Sequence, residues 1–256
     1  MKTVTSKDNP ILKSARRLHT RKGREETGLL LIAGQKLISE AVSAGFTIEH
    51  VFLNAGALAR GEAAAGRYDG EIALEEKLFR DLAGTVTPQP YLAVVKRPEN
   101  KGFGSETGRI LVLDRIGDPG NAGTMVRSAL AAGMDGVWCV KGTADVFSDK
   151  AVRASAGAVF RLAVKEGLSA IECVSNARAL GLMVLVCSAS GADLYGTDLT
   201  GRFALVVGNE GAGPQEEFLT AADMVVGIPM APEAESLNAA SAAAVVMYEA
   251  RRQARI

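Results

Sequence analysis

The sequence is short of the groups on which much enzyme chemistry is built. It has two histidines, His19 and His50, and three cysteines, Cys139, Cys173 and Cys187. No Cys or second His stands near either histidine and no two cysteines have C-x-x-C spacing, so neither a metal site nor a histidine-based triad is expected. Each cysteine sits singly in an apolar stretch, as buried reduced thiols of a cytoplasmic protein do. Aromatic residues make up 5% of the chain, too few for a single-strand binder built on stacking platforms. No apolar run approaches the roughly 18 residues of a membrane helix, and the first ten residues lack the apolar stretch of a signal peptide. A membrane location is therefore not expected. Net charge is missing as well: 29 Lys and Arg balance 29 Asp and Glu, which excludes a uniformly basic nucleic-acid binder. With 48% hydrophobic and 23% charged residues, a disordered chain is also excluded. The 256 residues suffice for one large domain or two smaller ones, burying roughly 70–75% of the unfolded surface.

The balanced charge is unevenly spread. Residues 1–28 carry Lys2, Lys7, Lys13, Arg16, Arg17, Arg21, Lys22 and Arg24 against Asp8, Glu25 and Glu26, an excess that the rest of the chain reverses. Asn9-Pro10 can open a helix with Ile11, Leu12, Ala15 and Leu18 on one side. Its basic face is either simply solvated or an arm that contacts phosphates, with Lys13, Arg16, Arg17, Arg21, Lys22 and Arg24 as the candidate contacts.

Beyond this arm the pattern alternates. Strands are predicted over 29–33, 48–54 and 91–95, and helices over 35–44, 56–65 and 74–83. The charged, Pro- and Gly-rich stretch 96–105 reads as a linker between residues 1–98 and 106–256. A second series follows, with strands over 110–114, 136–140, 161–164, 182–187, 203–208 and 224–228. Helices are predicted over 121–132 and, Ala-rich and last, 236–254. Short continuous apolar strands alternating with helices predict an α/β fold with a mostly parallel sheet.

In such sheets ligands bind beyond the carboxyl ends of the strands, and three of those ends are unusual. At 114–127 a strand enters a Gly- and Pro-rich turn, and the following helix carries Asn121 and Arg127; Asn121 is either a helix cap or a site residue. At 205–214 the turn Gly208-Asn209-Glu210-Gly211-Ala212-Gly213 lets backbone approach a ligand. It is neither a phosphate loop nor a dinucleotide fingerprint, and Glu210 suits a neutral or cationic ligand, or an arginine. At 228–241 a strand ends in Ile228-Pro229-Met230, and Ser236 is placed to cap the last helix.

Together, N-A-G-T-M-V-R-S-A, L-V-V-G-N-E-G-A-G and I-P-M followed by E-S-L-N resemble, in order and spacing, the three motifs of the SpoU (TrmH) family of RNA ribose 2'-O-methyltransferases. The resemblance runs from about Ile110 to the C-terminus. S-K-D-N-P-I-L-K near the start and T-P-Q-P-Y-L-A-V-V at 87–95 are similar to that family's accessory domain, which presents rRNA to the catalytic domain. The resemblance implies a SPOUT-type sheet with a deep trefoil knot, preceded by a smaller N-terminal α/β RNA-binding domain. It implies S-adenosylmethionine as cofactor, RNA as partner, and a homodimer, for which the small-residue face of the C-terminal helix is the expected contact. It carries over Asn121, Arg127, Glu210, Ser236 and Asn238 as the polar catalytic set. Gly208, Asn209, Gly211, Ile228, Met230, Leu237 and Asn238 are carried over as cofactor contacts. Large-subunit (23S) rRNA is the expected substrate; a tRNA substrate, or an inactive RNA-binding assembly protein of the same fold, are the alternatives. Arg127 is the family's proposed base, yet a guanidinium stays protonated at ordinary pH, so it is expected to clamp a substrate phosphate, with Asn121 and Glu210 fixing its geometry. Two departures, Ala33-Gly34-Gln35-Lys36 and Pro90 after Gln89, fall in the accessory half and bear on which RNA is recognised.

Overall fold

The computed structural model describes residues 3–85, 87–98, 102–234 and 236–254. Of the residues quoted above, Lys2, linker residues 99–101 and Glu235 lie outside them. The chain divides into two compact units, Met1–Glu99 with Phe147–Asp149, and Asn100–Val146 with Lys150–Ile256.

The first unit runs β1 (Thr3–Val4), α1 (Pro10–Arg17), α2 (Arg21–Thr27), β2 (Leu29–Ala33), α3 (Gln35–Ser43), β3 (Thr47–Asn54), α4 (Ala55–Ala59), β4 (Glu71–Leu74), α5 (Glu76–Ala83) and β5 (Tyr91–Lys96). Its sheet is mixed, in the order β1-β4-β3-β5-β2, with β5 antiparallel to both neighbours. Asn9 caps α1 as its sequence suggests, accepting from the N–H groups of Ile11 and Leu12. The apolar side of α1 places Leu12, Ala15 and Leu18 in a core with Phe52, Leu78, Phe79 and Leu82. The helix expected over 56–65 is a short element capped by Asn54, followed by glycines 61, 66 and 70 at positive φ. Leu74, expected to start a helix, is the last residue of a buried strand. Its apolar run, paired between β1 and β3, has no period long enough to tell strand from helix.

The second unit runs β6 (Arg109–Leu113), α6 (Pro119–Ala132), β7 (Gly136–Val140), α7 (Asp149–Ala154), β8 (Ala163–Leu168), α8 (Ala170–Ala179), β9 (Met183–Asp193), β10 (Phe203–Val207), α9 (Glu216–Ala221), β11 (Met224–Gly227) and α10 (Ala239–Gln253). All six strands are parallel, in the order β11-β9-β10-β6-β7-β8. Every residue of β7 and β10 is buried, which is why both read as unbroken apolar runs. Strand β9 is longer than its apolar stretch. Val225 of β11 pairs with Val186, but Val226 pairs with Ala192, so the register shifts there and 187–191 bulges from β11, although Cys187 stays paired with Val207 of β10.

The last helix starts later than expected. Asn238, not Ser236, is its cap, accepting from the N–H groups of Ala240 and Ser241. Helices α6 and α10 lie side by side and parallel, since Asn238 meets Asn121 near their starts and Arg251 approaches Gly133 at their ends. The small residues Ala239, Ala240 and Ala243 are therefore buried within the chain, on the face expected to receive a second copy. The exposed stripe of α10 is Ser241, Tyr248 and Arg252 instead. Among the described residues no helix is long and apolar enough to cross a membrane.

Candidate active site

The site forms where β6, β9, β10 and β11 end. Asp114, directly after β6, is fully buried and accepts from the backbone N–H of Gln215 at 2.7 Å, from its side-chain amide, and from Nε of Arg115 at 3.2 Å. Arg115 has φ of 57°, a left-handed conformation that non-glycine residues rarely adopt, and its guanidinium also donates to the carbonyl of Gly213. Asn209 completes this brace: its Nδ2 donates to the carbonyl of Arg115 at 2.9 Å, and its Oδ1 accepts from the N–H groups of Gly211 and Ala212. Gly208 is required by packing, because a Cβ there would overlap the backbone of Gly213 and Pro214. The turn is thus rigid before any ligand arrives.

Helix α6 is capped by Asp118, which accepts from the backbone N–H of Asn121 at 2.9 Å, with Pro119 as the first helical residue. Lys150 binds the same carboxylate. The Lys150 hydrogen bond, then the Asn121 N–H, hold the Asp118 carboxyl below the usual range. Asn121 is therefore not a cap, and its side chain is free for other partners. Its Nδ2 donates to Oε1 of Glu210 at 2.9 Å, and its Oδ1 accepts from Nδ2 of Asn238 at 3.2 Å. Three residues from three motifs join in one chain of hydrogen bonds.

Beside this chain lies a cavity of about 390 Å³. Its walls are the turn 207–214, Cys187, Ser188 and Ala189 of β9, and Ile228, Met230, Ser236, Leu237, Ala239 and Ala242. Of the expected cofactor contacts, Gly208, Asn209, Gly211, Ile228, Met230 and Leu237 line it and Asn238 does not; Glu210 and Ser236 also line it. Asn121 and Asn238 stand next to it through Glu210. Burial pushes the Cys187 thiol up to about 11, so it lines the cavity as a neutral apolar group. Apolar walls, backbone groups and, among the described residues, one carboxylate with no lysine or arginine suit a neutral-to-cationic ligand and not a polyphosphate.

Arg127 is not part of this constellation. It lies exposed on α6, does not line the cavity, and makes no hydrogen bond or ion pair among the described residues. Glu210 and Asn121 bond each other and do not fix its geometry. The basic arm is also more occupied than its sequence suggests. Lys13 pairs with Asp8, Arg17 and Lys22 with Glu26, and Arg21 with Glu25, while Arg16 and Arg24 donate to the carbonyls of Lys7 and Leu18. Sequence reasoning missed Asp114, Arg115, Gln215 and Lys150, and the wall from β9. The one available signal was a lone carboxylate, Asp114, ending an apolar strand.

Comparison with known proteins fits this geometry. Residues 108–248 match the SpoU rRNA Methylase family, and residues 9–93 match the MRM3-like substrate binding domain. The chain is 34% identical to the 23S rRNA (guanosine(2553)-2'-O)-methyltransferase RlmP of Bacillus subtilis (strain 168), covering 98% of this chain and 100% of that one. It is 31% identical to the 23S rRNA (uridine(2479)-2'-O)-methyltransferase of Streptomyces viridochromogenes, over 92% of this chain and 87% of that one. The AdoMet-bound crystal structure of an rRNA methyltransferase from Sinorhizobium meliloti superposes with a TM-score of 0.84 at 31% identity, over 98% of this chain and 97% of that one.

Proposed function

The chain belongs to the SpoU rRNA Methylase family, and we propose that it transfers a methyl group from S-adenosylmethionine to a ribose 2'-hydroxyl of large-subunit rRNA. The observation that carries this reading is the Asn238–Asn121–Glu210 chain standing beside a preformed, largely apolar cavity. The cavity fits the cofactor's chemistry. Leu237, Ile228 and Met230 offer apolar surface to an adenine, the backbone of the 208–213 turn offers hydrogen-bonding groups, and the Glu210 carboxylate suits a sulfonium. When bound, the cofactor supplies an electrophilic methyl group.

The residues of this chain do the positioning. A ribose hydroxyl must be aligned with the methyl carbon and must lose its proton. Glu210, oriented through one oxygen by Asn121, has its second oxygen available to that hydroxyl. Ser236 stands on the same cavity. Arg127, unpaired and exposed, is available to clamp an RNA phosphate; its fork, and not basicity, is its contribution. We assign catalytic roles to Asn121, Arg127, Glu210, Ser236 and Asn238 on this basis.

Residues 1–98 are read as the RNA substrate-binding domain and 106–256 as the catalytic domain. We also propose that the second unit is knotted as a deep trefoil. The match of residues 108–248 to the SpoU family, whose motifs imply that topology, supports this. A homodimer is proposed through the exposed stripe of α10, with half-exposed Tyr248 at its centre. An rRNA substrate carries the further reading of a cytoplasmic enzyme. The test is to map 2'-O-methyl groups on rRNA and tRNA from cells with and without this protein. Loss of one rRNA methyl group is the expected result; loss confined to tRNA, or no loss, refutes the assignment.

A further inference from the structure

Asp114 is a buried carboxylate to which the proposed reaction gives no part. It follows β6, is 0% exposed and does not line the cofactor cavity. A carboxylate is costly to bury unless it is paired and hydrogen-bonded, and the partners of this one lead to the turn that does line the cavity. Gln215, which follows the turn, donates to it through its backbone N–H at 2.7 Å and through its side-chain amide. Arg115 donates through Nε at 3.2 Å.

Arg115 is held on every side. Its N–H donates to Oγ1 of the buried Thr143 at 3.1 Å, and its carbonyl accepts from Nδ2 of Asn209 at 2.9 Å. Its guanidinium donates to Asp114 and, through Nη2, to the carbonyl of Gly213 at 3.3 Å. A glycine would take the φ of 57° at this position without strain, so what an arginine adds is its guanidinium. Asp114 and Arg115 thus tie the turn at Asn209, at Gly213 and at Gln215. Glu210, Gly211 and Ala212, between the first two ties, line the cavity. The tie to Asn209 uses the backbone of Arg115 and survives a change of side chain; the tie to Gly213 belongs to the guanidinium. Glu210 stands at the end whose tie survives and is also oriented by Asn121.

On the methyltransferase reading of the cavity, on which this inference rests, we infer that Arg115, anchored by the buried Asp114, is a positioning residue for the cofactor. It fixes the Gly211–Gly213 wall against which S-adenosylmethionine binds and leaves the orientation of Glu210 to Asn121. Neither Asp114 nor Arg115 lines the cavity, so both act through the turn. Cofactor affinity and alignment of the ribose hydroxyl are then held by separate groups.

Two variants of the full-length protein test this. Arg115→Gly removes the guanidinium and suits the φ. Arg115→Lys keeps a positive charge beside Asp114, but a compact ammonium lacks the fixed fork that spans Asp114 and Gly213. By calorimetry both should bind S-adenosylmethionine about tenfold more weakly, the scale of one hydrogen bond from a charged group. In assays on rRNA fragments the KM for the cofactor should rise in proportion with kcat near normal, because the lost contact serves ground and transition states alike. Melting temperature reports folding, and Arg115→Lys should restore it to the wild-type value without restoring affinity; that variant decides the matter if Arg115→Gly does not fold. If lysine restores affinity too, Arg115 only neutralises Asp114 and the positioning role is overturned. Normal affinity in both variants overturns it, as does a kcat that falls as far as affinity. A wild-type protein that binds no S-adenosylmethionine gives a distinct result: it removes the methyltransferase reading, and this role with it.

Discussion

Asn238 performs two tasks that a single substitution can separate. Its Oδ1 caps α10 by accepting from Ala240 N–H at 2.9 Å and Ser241 N–H at 3.3 Å, while its Nδ2 donates to Asn121 at 3.2 Å. Asn238→Ala removes both. Loss of the cap costs about 1 kcal/mol, and loss of an amide–amide hydrogen bond costs about 0.5–1 kcal/mol at an exposed position. At roughly 2–4 °C per kcal/mol for a protein of this size, the melting temperature should fall by about 3–8 °C. Asn238→Asp retains the cap, and its negative charge is favourable at a helix start. It replaces the donor to Asn121 with an acceptor. Asn121 can turn its amide to satisfy one carboxylate but must then present its oxygen to the other, so the chain to Glu210 breaks at one junction whichever way it turns. A misaligned hydroxyl in a methyl-transfer site costs on the order of 100-fold in rate. The expected result for Asn238→Asp is therefore an unchanged melting temperature, near-normal S-adenosylmethionine affinity by calorimetry, and kcat about 100-fold lower on rRNA fragments. Normal kcat with normal stability would refute an orienting role for the Asn238–Asn121–Glu210 chain.

Three other perturbations test separate parts of the structure. Gly208→Ala places a methyl group against the backbone of Gly213 and Pro214, which cannot move as a side chain would; a loss of about 1–3 kcal/mol is expected. S-adenosylmethionine affinity, read by calorimetry, should fall with it. Glu249 is buried and held at about 2 by hydrogen bonds from Arg252 and then Gln253, well below its ordinary 4.5. A depressed carboxyl stabilises above its unfolded value and loses that contribution as pH falls through its folded one. Glu249→Gln should therefore flatten the decline in stability between pH 4.5 and about 2 in acid titrations followed by circular dichroism. For the basic arm, deleting residues 1–28 would strip Leu12, Ala15 and Leu18 from the core, so charge substitution is the sounder test. With Lys13, Arg17, Arg21 and Lys22 already ion-paired, Lys7→Gln with Arg16→Gln should lower the salt slope of RNA binding by about 1–2, one phosphate contact each. An unchanged slope would mark α1 as a solvated helix.

The parts of this molecule legible in its sequence are those set by local chemistry. Asn9-Pro10 announced α1, Gly133 stopped α6, and the glycines from Gly208 to Gly213 marked a turn made for close approach. Where two residues offer the same local chemistry, sequence cannot choose. Ser236 and Asn238 both cap helices well, and only packing of α10 along α6 selects Asn238, because the same side chain must also reach Asn121. Contacts between distant segments were less legible still. Asn121 and Glu210 are 89 residues apart and Asn121 and Asn238 are 117 apart, so the motifs named the residues without naming their partners. The wall formed by Cys187, Ser188 and Ala189 was hidden for a related reason. An apolar run that stops at Cys187 reads as a finished strand, and only pairing of β11 on both sides of the register shift shows that β9 continues through Ser188–Gly191 to Asp193. Arg127 differs from all of these. It sits where a motif puts it, yet nothing in the described chain engages it, and the chemistry of a guanidinium supplies the reason. We propose that such a group, which gains from two aligned acceptors and has none among the described residues, takes them from a phosphate of the RNA.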